Sequence, residues 1–225
     1  MSERIVVLGT RLESRSAEES LEKIREFLTK DGLKIAGIIT AGTLLEAEKS
    51  EEYRQQIEQL NLGIIRDREV LEAAGITVPE RLWEAEDNWV MADLVHYLEA
   101  EQKSVVLLAQ TAQGRAAQEQ DLQEICPSIH IAGSFSLEEL EAEGEGMDSL
   151  LNRLNAIAAD VIFAYLPSPF QENFVYGNRQ KINARLWIGL GKNSSVQKGS
   201  KARQKFLERI LERRSFRKRV AEFHE

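Results

Sequence analysis

The six residues Val161-Ile162-Phe163-Ala164-Tyr165-Leu166, cut off by Pro167 and Pro169, constrain the fold of this chain more than any other stretch. A short, almost wholly apolar run ended by prolines reads as a strand buried on both faces of a parallel sheet. In open α/β sheets, ligands sit beyond the carboxyl ends of such strands. The segment that emerges there, Pro167-Ser168-Pro169-Phe170-Gln171-Glu172, opens a helix, and a second apolar run follows it and closes in Ile188-Gly189-Leu190-Gly191. The peptide N–H groups at that helix start, with the Ser168 hydroxyl and the Gln171 amide, suit an anionic or hydroxyl-rich ligand.

Elsewhere strands and helices alternate. Arg4 to Leu8 is a β-branched run ending at Gly9, and Ser16 caps a periodic segment with Leu21, Ile24, Phe27 and Leu28 on one face, stopped by Asp31-Gly32. Ile35 to Thr40 reads as a strand, Thr43 to Leu60 as one long charged helix, and Ser104 to Leu108 as a further buried strand. A helix to Cys126, a strand around Pro127 to Gly133, an acidic connector from Leu137 to Gly146 and a helix from Asp148 to Ile157 lead into the central run. This order predicts an α/β fold with a mainly parallel sheet, flanked by helices and joined by right-handed crossovers.

Length and charge set further bounds. A chain of 225 residues with 43% hydrophobic content fits one large domain or a domain with an appendage. No apolar run approaches the roughly 20 residues of a membrane span, and Met1-Ser2-Glu3-Arg4 leads directly into a strand, so a cytoplasmic location is expected. The net charge is −8, yet from Lys192 onward eleven Lys and Arg face four Glu. We therefore expect residues 1–191 to form the α/β core and residues 192–225 a basic helical appendage. The acidic body argues against nucleic acid as a partner, whereas the basic terminal helix suits anionic lipid headgroups on the inner face of a cell membrane.

The single cysteine, Cys126, excludes an internal disulfide and reads as a buried small hydrophobe at a helix end. His96 lies on a helix with no second His or Cys at ligand spacing, and His130 alternates with Ile129 and Ile131 as a strand residue. Glu138, Glu139, Glu141, Glu143 and Glu145 lack metal-ligand spacing and read as a solvated surface. No metal site and no cofactor is expected.

Asp160 to Glu172, with Ile188-Gly189-Leu190-Gly191 after it, resembles the WecG/TagA/CpsF family of bacterial glycosyltransferases. That family carries a strand, a Gly-Ser-Pro-Lys-Gln-Glu-like loop, a helix and a strand ending in Gly-Val-Gly. Ser168, Pro169, Gln171 and Glu172 match, while Pro167 stands for the glycine and Phe170 for the lysine. The family's Thr-x-Asn at the end of an early strand corresponds to Thr40-Ala41-Gly42, which keeps the threonine; read without the resemblance, Thr40 is a strand-end residue before a turn. The catalytic aspartate of the family falls on Arg66 without a gap and on Asp67 with a shift of one; read alone, Asp67 between Arg66 and Arg68 is a paired surface charge. The family's glycine pair is replaced by Ala109-Gln110, and Arg209 matches an arginine of the family's terminal appendage.

The resemblance implies a Rossmann-like fold and a hexosyltransferase working without a metal ion. It would transfer an N-acetylmannosamine-type sugar, with inversion, from a UDP-sugar to a polyprenyl-diphosphate-linked acceptor in cell-surface polysaccharide synthesis. Asp67 would be the general base, Thr40, Ser168, Gln171, Glu172, Gly189, Gly191 and Arg209 would bind substrate, and the basic helix would meet the membrane. The replaced positions leave open a family member that keeps the scaffold and binds a sugar nucleotide or a partner without turnover. An unrelated nucleotide-binding α/β domain stays open too, as does homo-oligomerisation.

Overall fold

The computed structural model describes residues 3–192 and 206–223, the side chains of residues 206–211 excepted. The elements run β1 (Glu3–Val7), β2 (Thr10–Ser14), α1 (Ala17–Thr29), β3 (Lys34–Ile39), α2 (Ala41–Lys49), α3 (Glu51–Glu58), β4 (Leu62–Ile65), α4 (Arg68–Ala73), α5 (Pro79–Glu86) and α6 (Trp89–Ala100). They continue β5 (Ser104–Ala109), α7 (Ala112–Ile125), β6 (His130–Ser136), α8 (Leu137–Ala142), α9 (Met147–Ile157), β7 (Val161–Tyr165), α10 (Phe170–Gly177), β8 (Leu186–Gly189) and α11 (Phe206–Phe223). Six strands form an all-parallel sheet in the order β4-β3-β8-β7-β5-β6, flanked by helices, which is the Rossmann-like α/β arrangement expected.

By contacts the chain divides into two compact units. One comprises residues 1–21, 37–90 and 198–225, and the other residues 22–36 and 91–197, so β3 contributes to both. In the second unit, β7 pairs with β5 on one side and β8 on the other, and every residue of β7 and β8 is buried. That explains the continuous apolar sequence of these strands: no face is left for polar side chains. Asp160 fixes their starting edge, its Oδ2 accepting from the Ser104 amide (2.9 Å) and hydroxyl (3.0 Å). Tyr165, Phe163 and Trp187 are among the largest fully buried side chains.

The first unit has its own core, in which Ile5, Val7, Leu8 and Leu12 of the amino-terminal segment meet Ile39, Leu44, Ile57, Val70, Leu71 and Phe216. Here the structure departs from the sequence expectation. The first strand is not in the large sheet; it forms an antiparallel hairpin with β2, whose residues alternate between buried and exposed. The connection is Leu8-Gly9, both at positive φ (48° and 74°), the two-residue turn whose twist matches paired strands. The expected single helix from Thr43 to Leu60 is two helices, because the Ser50 hydroxyl accepts from the Tyr53 amide and starts a new one. The acidic connector contains α8, whose N-cap Ser136 accepts from the Glu139 amide.

Candidate functional site

In the second unit, the residues singled out in the sequence meet where β7 and β8 end. The Ser168–Pro169 peptide is cis, and α10 begins with the Gln171 amide donating to the Pro167 carbonyl at 3.0 Å. The Ser168 hydroxyl and the Gln171 amide nitrogen both donate to Oε1 of Glu172, each at 2.9 Å. Gln171 and Glu172 are buried (5% and 6% exposed), which is unusual for their types and places a carboxylate and an amide together in a low-dielectric interior.

The facing strand is shaped to fit. A Cβ on Gly189 would stand 2.8 Å from Nε2 and 2.9 Å from Cδ of Gln171, so the Gln171 side chain lies on the bare backbone of β8. Gly191 has φ +82°, the left-handed region, which lets the chain turn directly after the strand. The spacing between the Gln-Glu pair and the Gly-x-Gly pair is therefore a packing requirement. Ser168, Gln171, Glu172 and Gly189 are brought together in this way.

Two oxygens of this group lack a hydrogen-bond partner among the described residues: Gln171 Oε1 and Glu172 Oε2. A third such oxygen, Gln110 Oε1, lies on the loop after β5, the strand beside β7. In the sequence Ala109-Gln110 shows only the loss of a glycine pair; the buried acceptor of Gln110 is visible in the structure alone. Buried acceptors without donors are costly, at about 1–3 kcal/mol each, and a carboxylate or amide oxygen of this kind can receive a hydroxyl donor.

In the first unit, Thr40 and Asp67 lie at the ends of β3 and β4. Thr40 is the N-cap of α2. Its Oγ1 accepts from the Thr43 amide (3.1 Å), while Thr43 Oγ1 accepts from the Thr40 amide (3.2 Å), forming a capping box. Asp67 Oδ2 accepts from the Ala41 amide at 2.9 Å, linking the starts of α2 and α4. The residue is 4% exposed, so Asp67 is a buried carboxylate and not the surface charge its neighbours suggested. Arg68 turns away to Glu72 and Glu86. One cation near Asp67 comes from far along the chain: Arg213 Nη2 of α11 is 3.6 Å from Oδ1.

Glu69 forms the rest of this cluster, and nothing in the residues around it marks it. It is 4% exposed and paired to Arg213 (3.4 Å) and Arg217 (3.2 Å), so α11 is latched to α4 through buried carboxylates. Arg219 adds a bond to Glu48 of α2 at 2.7 Å. The Glu212 carboxylate lies over Gly42 in the first turn of α2, 3.2 Å from where a Cβ would stand. The family pattern has asparagine at this position, and here α11 fills the space that side chain would need. Arg209 lies on α11, with its side chain outside the described residues, as is the segment from Asn193 to Lys205.

Among the described residues, one group of side chains has metal-ligand spacing, and it lies in neither of these sets. His96, Glu99 and Cys126 have ligand atoms within 4.8 Å of one another. No second ligand is legible near His96 in the sequence, because Cys126 is thirty positions away on another element. The acidic run in and after α8 is exposed or half-buried, and paired: Glu139 with Arg115, and Glu143 and Glu145 with Arg153.

An all-parallel sheet with a buried Gln-Glu pair just after one strand and a glycine-floored strand beside it is the open α/β arrangement in which ligands bind beyond the carboxyl ends of the strands. The sequence profile of the glycosyl transferase WecG/TagA/CpsF family matches residues 5–204, and the chain belongs to that family. A search of curated proteins found no match. The family supports a glycosyltransferase-like function. No helix among the described residues is long and apolar enough to cross a membrane.

Proposed function

We propose that this chain transfers a hexose of the N-acetylmannosamine type from a UDP-sugar to a polyprenyl-diphosphate-linked acceptor, with inversion. The observation that carries the reading is the set of buried acceptors Gln171 Oε1, Glu172 Oε2 and Gln110 Oε1, which suits the hydroxyl groups of a sugar. Glu172, already holding Ser168 and Gln171 through one oxygen, has the other to receive a hydroxyl donor.

Asp67 is the general base in this reading. It would take the acceptor hydroxyl's proton as that oxygen attacks the anomeric carbon and the UDP phosphate leaves with the bonding electrons. Its support is burial at a strand end and a fixed orientation through the Ala41 amide. Thr40 contributes through its cap to the same strand-end region, and Gly189 and Gly191 shape the floor under Gln171. Arg209 and the basic face of α11 would meet the diphosphate and anionic lipid, and residues 192–225 would act as the appendage.

A second reading is favoured by two observations: Arg213 beside Asp67, and Glu212 in the space of the family's asparagine. In it the chain binds the sugar nucleotide and does not turn it over. Turnover of UDP-N-acetylmannosamine with a synthetic lipid-linked acceptor tests the first reading. Asp67→Asn keeps an oxygen for the Ala41 amide, and should lower the rate by about 10²–10⁴ without unfolding the chain. Donor binding without turnover supports the second reading. Calorimetry that detects no UDP-sugar binding overturns both.

A further inference from the structure

We propose that His96, Glu99 and Cys126 form a binding site for a borderline divalent transition cation of the zinc type, away from the sugar-binding end of the sheet. His96 and Glu99 are three residues apart on α6 and so share one face of the helix. Cys126 is the C-cap of α7, fully buried, and its Sγ is 3.1 Å from His96 Nδ1.

The donor set is one thiol, one imidazole and one carboxylate. That combination of soft, borderline and hard ligands selects zinc over magnesium or calcium, which take oxygen alone. Tetrahedral bonds of about 2.0–2.3 Å put ligand atoms about 3.3–3.7 Å apart. The observed atoms, none more than 4.8 Å from another, reach that spacing by small rotations of Glu99 and His96.

A supporting contact already orients the carboxylate, since the Ser128 amide donates to Glu99 Oε1 at 2.8 Å. His96 is exposed, so an ion has a route in, and the three protein ligands leave one tetrahedral position for water. Cys126 ends the helix that returns to the amino end of β6, whereas Gln110, Gln171 and Glu172 follow the carboxyl ends of β5 and β7. The cation would therefore tie α6 to the turn before β6 and take no part in sugar transfer.

Cobalt(II) is the spectroscopic probe. Titration into the untagged full chain should give a thiolate-to-metal charge-transfer band and tetrahedral d–d absorption, saturating at one equivalent and displaced by zinc(II). Cys126→Ser should remove the charge-transfer band. Because His96 is exposed, His96→Ala should leave the fold intact by circular dichroism and weaken binding by at least about tenfold, the least expected when even a supporting contact is worth that much. Glu99→Gln should do the same. No charge-transfer band at one equivalent, a band that survives Cys126→Ser, or unchanged affinity in a folded His96→Ala chain would each overturn the proposal.

Discussion

Adding one methyl group at Gly189 tests the packing of the candidate site. In Gly189→Ala the new Cβ would come within 2.8 Å of Gln171 Nε2 and 2.9 Å of Cδ, closer than carbon atoms tolerate. Gln171 cannot swing away freely, because it is buried and its amide holds Glu172 at 2.9 Å. Displacing it breaks a hydrogen bond to a charged group, worth about 1.5–3 kcal/mol. Replacing glycine returns about 0.4–1 kcal/mol by restricting the unfolded chain. The net expectation is a destabilisation of about 2 kcal/mol, or a fall in Tm of about 4–8 °C for a chain of this size. Urea unfolding measures it. The decisive form is a double-mutant cycle with Gln171→Ala: once that side chain is gone, Gly189→Ala should cost almost nothing, giving a coupling of about 1–2 kcal/mol. Strictly additive effects would show that Gln171 does not lie on β8, and the account of the pocket would fail. Loss of UDP-sugar binding in both single variants is the accompanying functional result.

Two further outcomes are expected. Arg213→Ala leaves Glu69 and Asp67 buried with less compensating charge and should destabilise the chain by about 2–4 kcal/mol in urea titration, whereas Glu69→Gln with Arg213→Met should cost less than the single change. Hydrogen bonds from Arg115, then from Ser136, hold the Glu139 carboxyl below its ordinary value, so this contact stabilises the fold above the normal carboxylate range and is lost as pH falls through the depressed value. The Tm difference between the native chain and Arg115→Gln should accordingly be present near neutral pH and close in acid; a difference that grows in acid would refute this assignment.

The sequence made some of this legible because the physics was local. Val161 to Leu166 is apolar since β7 is enclosed on both faces, and the Gln-Glu motif at the start of α10, just after β7, must fit the Gly-x-Gly motif at the end of the neighbouring β8. What escaped was carried by partners distant in sequence. Nothing around Asp67 announces Arg213, and nothing around Glu69 distinguishes it from an exposed glutamate, because both are defined by a helix that returns from the far end of the chain. Leu8-Gly9 lacks the Asn-Gly signature of its turn, so β2 was hidden, and Ser50 was hidden as a break within a charged, helix-favouring run. Thr40 was recognised as a strand-end residue, but its cap on Thr43 requires knowing that α2 starts at Ala41.

The place of Phe216 in the first unit bears on how the protein is made. This side chain is 1% exposed, among residues that include Ile5, Leu44 and Val70. A nascent chain leaves the ribosome amino end first, so residues 91–197 have all been synthesised before Phe216 exists. The second unit thus has the means to fold during translation, while the first must wait with an open core, exposed to chaperones and proteases. For the same reason a chain cut short after Gly191 loses a structural plug, and its behaviour toward vesicles would report partial unfolding as much as missing charge.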